Sequence, residues 1–261
     1  MTHPASVISV VALESRCGAT ARNLASILSR MRQAADAGAT LVAFPEASLT
    51  GYCVDHAAQI GLRLNDPAID EAREAARDLR LTALIGLVER SEDALFISQV
   101  ACDAQGALHV FRKTHLGRRE HAVFSPGDGL TVGEGRPCLG VGICYDMHFP
   151  EVASTLRARG AELIVSPHAS PVKAGQRDEV WARYMPTRAY DNRVYVACCN
   201  ASGTNGCGTV FASGVAVYDP DGTLVSGDFC AEETMVTAEL TPRTYAGGKD
   251  FPQYRRPELY H

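Results

Sequence analysis

Six short apolar runs, separated by polar or helix-patterned sequence, decide what this chain can fold into. They are SVISVVAL (6–13), TLVAF (40–44), LTALIGLVE (81–89), CLGVGIC (138–144), AELIVSP (161–167) and RVYVACCN (193–200). Most are rich in β-branched residues and lack the alternation of a strand with one wet face. Each reads as a strand covered on both faces. Helical patterns lie between them. From Thr20 to Ala37, Leu24, Ile27, Leu28, Met31 and Ala35 recur at helical spacing, and Gly38 is placed to end the helix. Residues 67–79 carry acidic groups early and arginines later, which suits the helix dipole. Residues 150–160 place Pro in the first turn and Gly at the end, and a further helix is expected over 176–191.

Hairpins interrupt this alternation. ALFISQVACD and ALHVFRK flank a turn around Gln105–Gly106, and GVAVYDPDGTLVSG turns at Asp219–Gly222. The mixture predicts an α/β protein with two mixed sheets faced by helices. No tandem repeat, charge block or low-complexity linker divides the chain, so residues 1–261 are expected to form a single domain.

Composition excludes several functions. A formal charge of −5, with Lys and Arg scattered, leaves no footprint for nucleic acid. No apolar run approaches the ~20 residues a membrane-spanning helix needs. The start, MTHPASVISVVALES, lacks the charged region and cleavage site of a secretory signal, which points to the cytoplasm. The cysteine count is nine, an odd number, with no CxxC pair. A disulfide framework and a structural zinc site are therefore not expected, and the thiols read as reduced and mostly buried.

Three strands end in reactive residues. LVAFPE ends at Glu46, LHVFRK at Lys113 and LGVGIC at Cys144. Ligands in layered α/β folds gather beyond the carboxyl ends of strands. A carboxylate, an ammonium and a thiol on one rim supply the base, oxyanion partner and nucleophile of acyl transfer. Singly, each has an ordinary explanation: a loop acid, a solvated lysine in a basic run, a buried thiol. Only together do they argue for a site.

FPEASLTGY (44–52), RKTHLGRREHAVFSPGD (112–128) and GVGICYDMHFPE (140–151) together resemble the nitrilase superfamily, the carbon–nitrogen hydrolases. SPHAS (166–170) and RAYDNRVYVACCN (188–200) add to the likeness, which runs from the first strand to about residue 240. The resemblance implies a four-layer α-β-β-α sandwich with a catalytic Glu46–Lys113–Cys144 triad. It also implies Glu120 as an assisting carboxylate and a homodimer or larger homo-oligomer. In that scheme Glu46 takes the thiol proton, and Lys113 with the backbone N–H of Tyr145 holds the oxyanion. A thioester forms and is hydrolysed, and no metal or organic cofactor takes part.

Around this centre, Asp146 and Glu151 read as structural groups of the turn and the following helix start, and His115 as a packing or hydrogen-bonding residue. His168 is either a substrate contact or a satisfied loop histidine, and Tyr52 either lines the pocket or packs. Asp191 and Asn192 read as capping or turn residues. Family nitrilases usually carry Trp-Glu after the cysteine where this chain has Tyr145-Asp146, which favours amidase chemistry. His148 stands where relatives often have an arginine able to fork onto a carboxylate, so such recognition would fall to Arg177 or Arg183. The expected substrate is a small linear amide or N-carbamoyl amine that releases ammonia. Nitrile attack, acyl transfer to an amine and a non-catalytic binding protein are the alternatives. A redox role would need the vicinal Cys198–Cys199 pair.

Overall fold

The computed structural model describes residues 6–135, 137–171, 175–243, 245 and 250–259. The first half of the chain comprises β1 (Ser6–Ala12), α1 (Thr20–Asp36), β2 (Leu41–Ala43), α2 (Ala57–Ile60), α3 (Pro67–Leu79), β3 (Thr82–Ser91), β4 (Ala94–Cys102) and β5 (Leu108–Arg112). The second comprises β6 (Val132–Gly133), β7 (Leu139–Val141), α4 (Pro150–Ala158), β8 (Leu163–His168), α5 (Arg177–Ala182), α6 (Met185–Asn192) and β9 (Tyr195–Asn200). It ends with β10 (Gly203–Thr204), β11 (Val210–Phe211), β12 (Val215–Tyr218), β13 (Leu224–Asp228) and β14 (Thr234–Leu240).

Two six-stranded mixed sheets result, ordered β14-β1-β2-β3-β4-β5 and β13-β12-β9-β8-β7-β6. Parallel triplets, β1-β2-β3 and β7-β8-β9, sit inside each sheet with antiparallel strands outside them. Strand periodicity explains the continuous apolar runs. In β1, Ile8, Val10 and Ala12 enter a core shared with Val141, Leu163, Val165, Ala197 and Val215 of the other sheet. Val11, on the opposite face, packs with Leu24, Ile27 and Met31 of α1. The second sheet repeats the scheme, Ile164, Val196 and Cys198 facing Val152, Leu156, Trp181 and Met185. Both faces of the central strands are dry, giving the expected α-β-β-α layering.

Three sequence expectations need correction. The run 138–144 is a strand only over Leu139–Val141, and Cys144 starts a 3-10 turn, Cys144–His148. The helix expected over 176–191 is two helices, because Pro186 in the first turn of α6 cannot donate to a preceding carbonyl. Strand β14 was not anticipated; it pairs antiparallel with all of β1, from Ser6↔Leu240 to Ala12↔Thr234. Cys198 and Cys199 point to opposite faces of β9, one to the helices and one between the sheets, so they form no redox pair. Among the described residues no helix is long and apolar enough to cross a membrane.

Candidate active site

Glu46 lies beyond the end of β2 in a loop fixed to β3. Phe44 N donates to Leu84 O (2.9 Å), Leu49 N donates to Gly86 O (2.8 Å), and Ser48 Oγ accepts from Gly86 N (3.0 Å). The loop lies so close that a Cβ on Gly86 would stand 2.3 Å from Ala47 N and 2.4 Å from Pro45 O. Ala47, next to Glu46, has φ 53, a left-handed conformation rare for a residue with a side chain. The Glu46 carboxylate is 2 % exposed and bridges the sheets. Its Oε1 accepts from Lys113 Nζ at 2.8 Å, and its Oε2 accepts from the backbone N–H of Ala169, just past β8, at 2.8 Å.

Lys113 follows β5 and is pinned by two backbone bonds, its own N–H to Ile97 O and its carbonyl from Gly127 N, both 2.8 Å. It too is 2 % exposed, which removes the reading of a solvated lysine. Its ammonium also donates to Glu120 Oε1 at 2.7 Å. Glu120 is held from three sides, because Tyr52 Oη donates to the same oxygen (2.7 Å) and Gly117 N to the other (2.6 Å).

Cys144 is tied to this cluster through Asp146. Asp146 Oδ2 accepts from Ile143 N (2.9 Å), while Oδ1 accepts from Thr114 N (3.2 Å), Thr114 Oγ1 (2.8 Å) and His115 N (2.7 Å). One buried carboxylate thus holds the cysteine turn and the residues directly after Lys113 in one arrangement. Arg188 braces the same turn, donating from Nε to Met147 O and from Nη2 to His148 O, both at 3.1 Å. Cys144 has φ 48, a second left-handed residue, and is half-buried beside the inter-sheet core. Strain of this kind persists only where surrounding contacts over-determine it.

The electrostatics separate the two acids. Burial pushes the Glu46 carboxyl above the usual carboxylate range; Lys113 opposes the shift and the charge on Glu120 adds to it. Burial acts on Glu120 as well, but the Lys113 charge and the bonds from Lys113, Gly117 and Tyr52 outweigh it and hold that carboxyl low. Burial works against the Lys113 ammonium, yet Glu46 and Glu120 keep it charged well above an ordinary lysine. The Cys144 thiol is pushed up, first by burial and then by Glu46, with Lys113 pulling the other way. Two carboxyls around one ammonium, one raised and one lowered, are suited to a base and a fixed counter-ion respectively.

The remaining expected wall residues separate by environment. Tyr52 points its hydroxyl at Glu120, as above, and burial raises its phenol. His168 is fully enclosed: Nε2 bonds Ser166 Oγ at 2.9 Å and the ring lies 5.2 Å from Trp181. Burial, then the charges of Arg177 and Lys113, hold it neutral. Of its two readings the structure favours the satisfied histidine. His148 is exposed, stacked on Tyr184 with ring centroids 4.7 Å apart, and burial of its inner face plus Arg188 keeps it neutral. The Tyr145 ring is 41 % exposed, edge-on to Phe149. His115 stacks on Phe149 at 4.2 Å, the packing role expected of it, and Glu151 sits exposed in the first turn of α4. Arg183 is exposed, whereas Arg177 is buried, lies over the Trp181 ring, and leaves its Nε without a hydrogen-bond partner.

Two contributors escaped the sequence reading. Ala169 acts only through its backbone, which no side-chain pattern reports. Asn200 secures the segment bearing it, accepting from Ser170 N (3.0 Å) and donating to Ser170 O, Ala201 O and Ala212 O. Its signal was a polar residue closing the apolar run VACCN. Metal-ligating groups converge elsewhere, at Cys17, Cys53, His56 and Cys207, a set that the lack of paired cysteine spacing in the sequence does not reveal.

The carbon-nitrogen hydrolase family model matches residues 7–249. The chain belongs to the carbon–nitrogen hydrolase family. This family member is 31% identical over 221 residues to an (R)-stereoselective amidase of Pseudomonas sp, covering 84% of this chain and 79% of the relative. Its fold is similar to the amidase of Nesterenkonia sp. AN1. A cysteine-to-alanine mutant of that enzyme, solved with butyramide, superposes with TM-score 0.86 at 28% identity, covering 99% of this chain and 96% of that one. A glutamate-to-glutamine mutant of the same amidase shows covalent addition of the acetamide moiety of fluoroacetamide at its active site cysteine, with TM-score 0.85, 27% identity and the same coverage.

Proposed function

We propose that this carbon–nitrogen hydrolase cleaves small linear amides or N-carbamoyl amines through an acyl-Cys144 thioester, with Glu46 as base. The buried Glu46–Lys113–Glu120 cluster carries this reading, because its two carboxyls are driven apart in acidity around one ammonium beside a thiol. The raised pKa of the thiol argues against a standing thiolate. Glu46 removes the Sγ proton as the sulfur bonds to the substrate carbonyl carbon. The carbonyl electrons move to oxygen, where Lys113 Nζ and the N–H of Tyr145 receive the charge. One such donor is worth about 3–4 kcal/mol of barrier. The proton passes from Glu46 to the departing nitrogen, the C–N bond breaks and ammonia leaves. Glu46 next deprotonates water, which attacks the thioester; the C–S bond breaks and the sulfur regains a proton through Glu46.

Glu120 does not exchange protons in this scheme. Its lowered pKa and three donors make it a permanent counter-charge that aims Lys113. His148, neutral and stacked on Tyr184, offers no fork for a carboxylate, which supports substrates lacking one at that point. The resemblance to enzymes that pair through their helices supports a homodimer or larger assembly. The same reading treats residues 1–261 as one domain and places the protein in the cytoplasm, with no nucleic-acid partner.

The test is ammonia release from a panel of linear amides, ω-amides, N-carbamoyl amines and nitriles, by wild type and Cys144→Ala in parallel. Release from the amide or carbamoyl classes by wild type alone is expected. Equal rates in both proteins, or release from nitriles only, contradicts the proposal.

A further inference from the structure

Three loops meet beside Tyr52 and bring a second set of reactive side chains together. Cys17 comes from the loop after β1, Cys53 and His56 from the segment that carries Glu46 and Tyr52, and Cys207 from the turn between β10 and β11. The ligand atoms of all four lie within 4.8 Å of one another. A tetrahedral ion with thiolate and imidazole ligands sets these separations at about 3.5–3.8 Å. We propose that Cys17, Cys53, His56 and Cys207 form a Cys3His site for zinc, a structural metal centre distinct from the catalytic cluster.

The loops are built to hold the four side chains in place. Cys17 N donates to Asn205 O at 2.9 Å, and Cys207 N to Asn205 Oδ1 at 2.8 Å. Asn205 is 1% exposed and donates from Nδ2 to Tyr52 O at 2.9 Å, so this one residue, through its side chain and its carbonyl, links the backbones at or beside three of the ligands. Gly18 N donates to Thr50 O at 2.8 Å, and a Cβ on Gly51 would stand 2.5 Å from Cys17 N. The backbone approach therefore requires glycine at 51. Cys207 is flanked by Gly206 and Gly208, both in the left-handed region, in a turn that presents its thiol.

Cys53 and His56 are a local chelate, three residues apart across a 3-10 turn, with Sγ and Nδ1 3.1 Å apart. A thiol-to-imidazole hydrogen bond explains that pair alone. It does not explain why two more thiols from distant loops complete the set. Three soft thiolates and one imidazole are the donors of structural zinc sites, and such sites leave no open position for chemistry. His56 and Cys207 are exposed, which gives the ion a path in. Binding would release three thiol protons to solvent and leave the centre with one formal negative charge. The ion would fix the segment that presents Tyr52 to Glu120, so its role is to position the pocket wall. The proposal stands apart from the catalytic reading and does not need it.

The test is elemental analysis of the purified full chain after dialysis, followed by cobalt(II) titration of chelator-stripped, reduced protein. About one zinc per chain is expected, with cobalt producing a thiolate charge-transfer band and the visible spectrum of a tetrahedral site. Cys207→Ser, in an exposed turn, should lose most of the bound zinc and weaken the band, while Cys230→Ser, an exposed cysteine elsewhere, should change neither. Substoichiometric zinc with no cobalt spectrum in folded wild type overturns the proposal. So does retention of full zinc by Cys207→Ser together with Cys17→Ser. An intact mass showing a disulfide within the cluster, with reduced protein that takes up no cobalt, also overturns it.

Discussion

The Glu46 carboxylate reaches from the loop after β2 to the backbone N–H of Ala169 after β8, a 2.8 Å bond between the two sheets. With Lys113 on its other oxygen, both lone-pair directions that matter are committed. The proposed base is therefore fixed by backbone from one sheet and by an ion pair from the other.

Glu46→Gln tests that base. The amide keeps the shape, but it cannot take the thiol proton, and its NH2 must face either the Lys113 or the Ala169 donor. A fall in kcat/KM of about 10²–10⁴-fold is expected, with little change in circular dichroism. A loss under about threefold would show that the proton goes elsewhere.

The pH profile follows from the acidity of Glu46. The base works deprotonated, so kcat/KM should rise with pH through a limb lying above the usual carboxylate value of about 4.3. The charge on Glu120 raises Glu46. Removing it in Glu120→Gln should move the acid limb to lower pH while reducing the plateau. A limb that stays put or moves upward contradicts the coupling.

Asp146→Asn reports on the link between the cysteine turn and the Lys113 loop. The carboxylate accepts from Ile143, Thr114 and His115, and an amide would turn a donor toward some of these donors. A loss of about 3 kcal/mol in urea denaturation is expected, and kcat should fall as Cys144 leaves its left-handed conformation. Unchanged stability would mean the network is not rigid.

Gly86→Ala probes placement without touching a reactive group. The new Cβ would displace Ala47 N and Pro45 O, moving Glu46 with them. A displacement near 1 Å can cost about 10²-fold in rate. That loss in kcat, in protein that still folds, is the predicted result, and wild-type kcat would show that the loop absorbs the clash.

The strands and most helices were legible because the two-faced burial of each sheet writes itself as unbroken apolar runs, as in SVISVVAL. Strand β14 is hard to see because its residues are mostly half-buried, and the split after α5 because the apolar spacing over 176–191 continues across Pro186. Glu46, Lys113 and Cys144 were visible as reactive residues at the ends of runs, yet nothing local distinguished buried from solvated forms. That distinction comes from partners 67 and 7 positions away from Lys113. The Cys17, Cys53, His56 and Cys207 cluster was invisible because its ligands lie on three loops brought together only by the sheet order.

The central proposed step is a covalent bond between Cys144 and the substrate's acyl carbon. Rapid-quench intact mass spectrometry with a slowly turned-over amide, followed by peptide mapping, tests it most directly. The prediction is a transient increase equal to the acyl group, located on Cys144, absent from Cys144→Ala and accumulating in Glu46→Gln if acylation persists there. Turnover by wild type with no acyl adduct at any quench time, or an adduct on another residue, would contradict it.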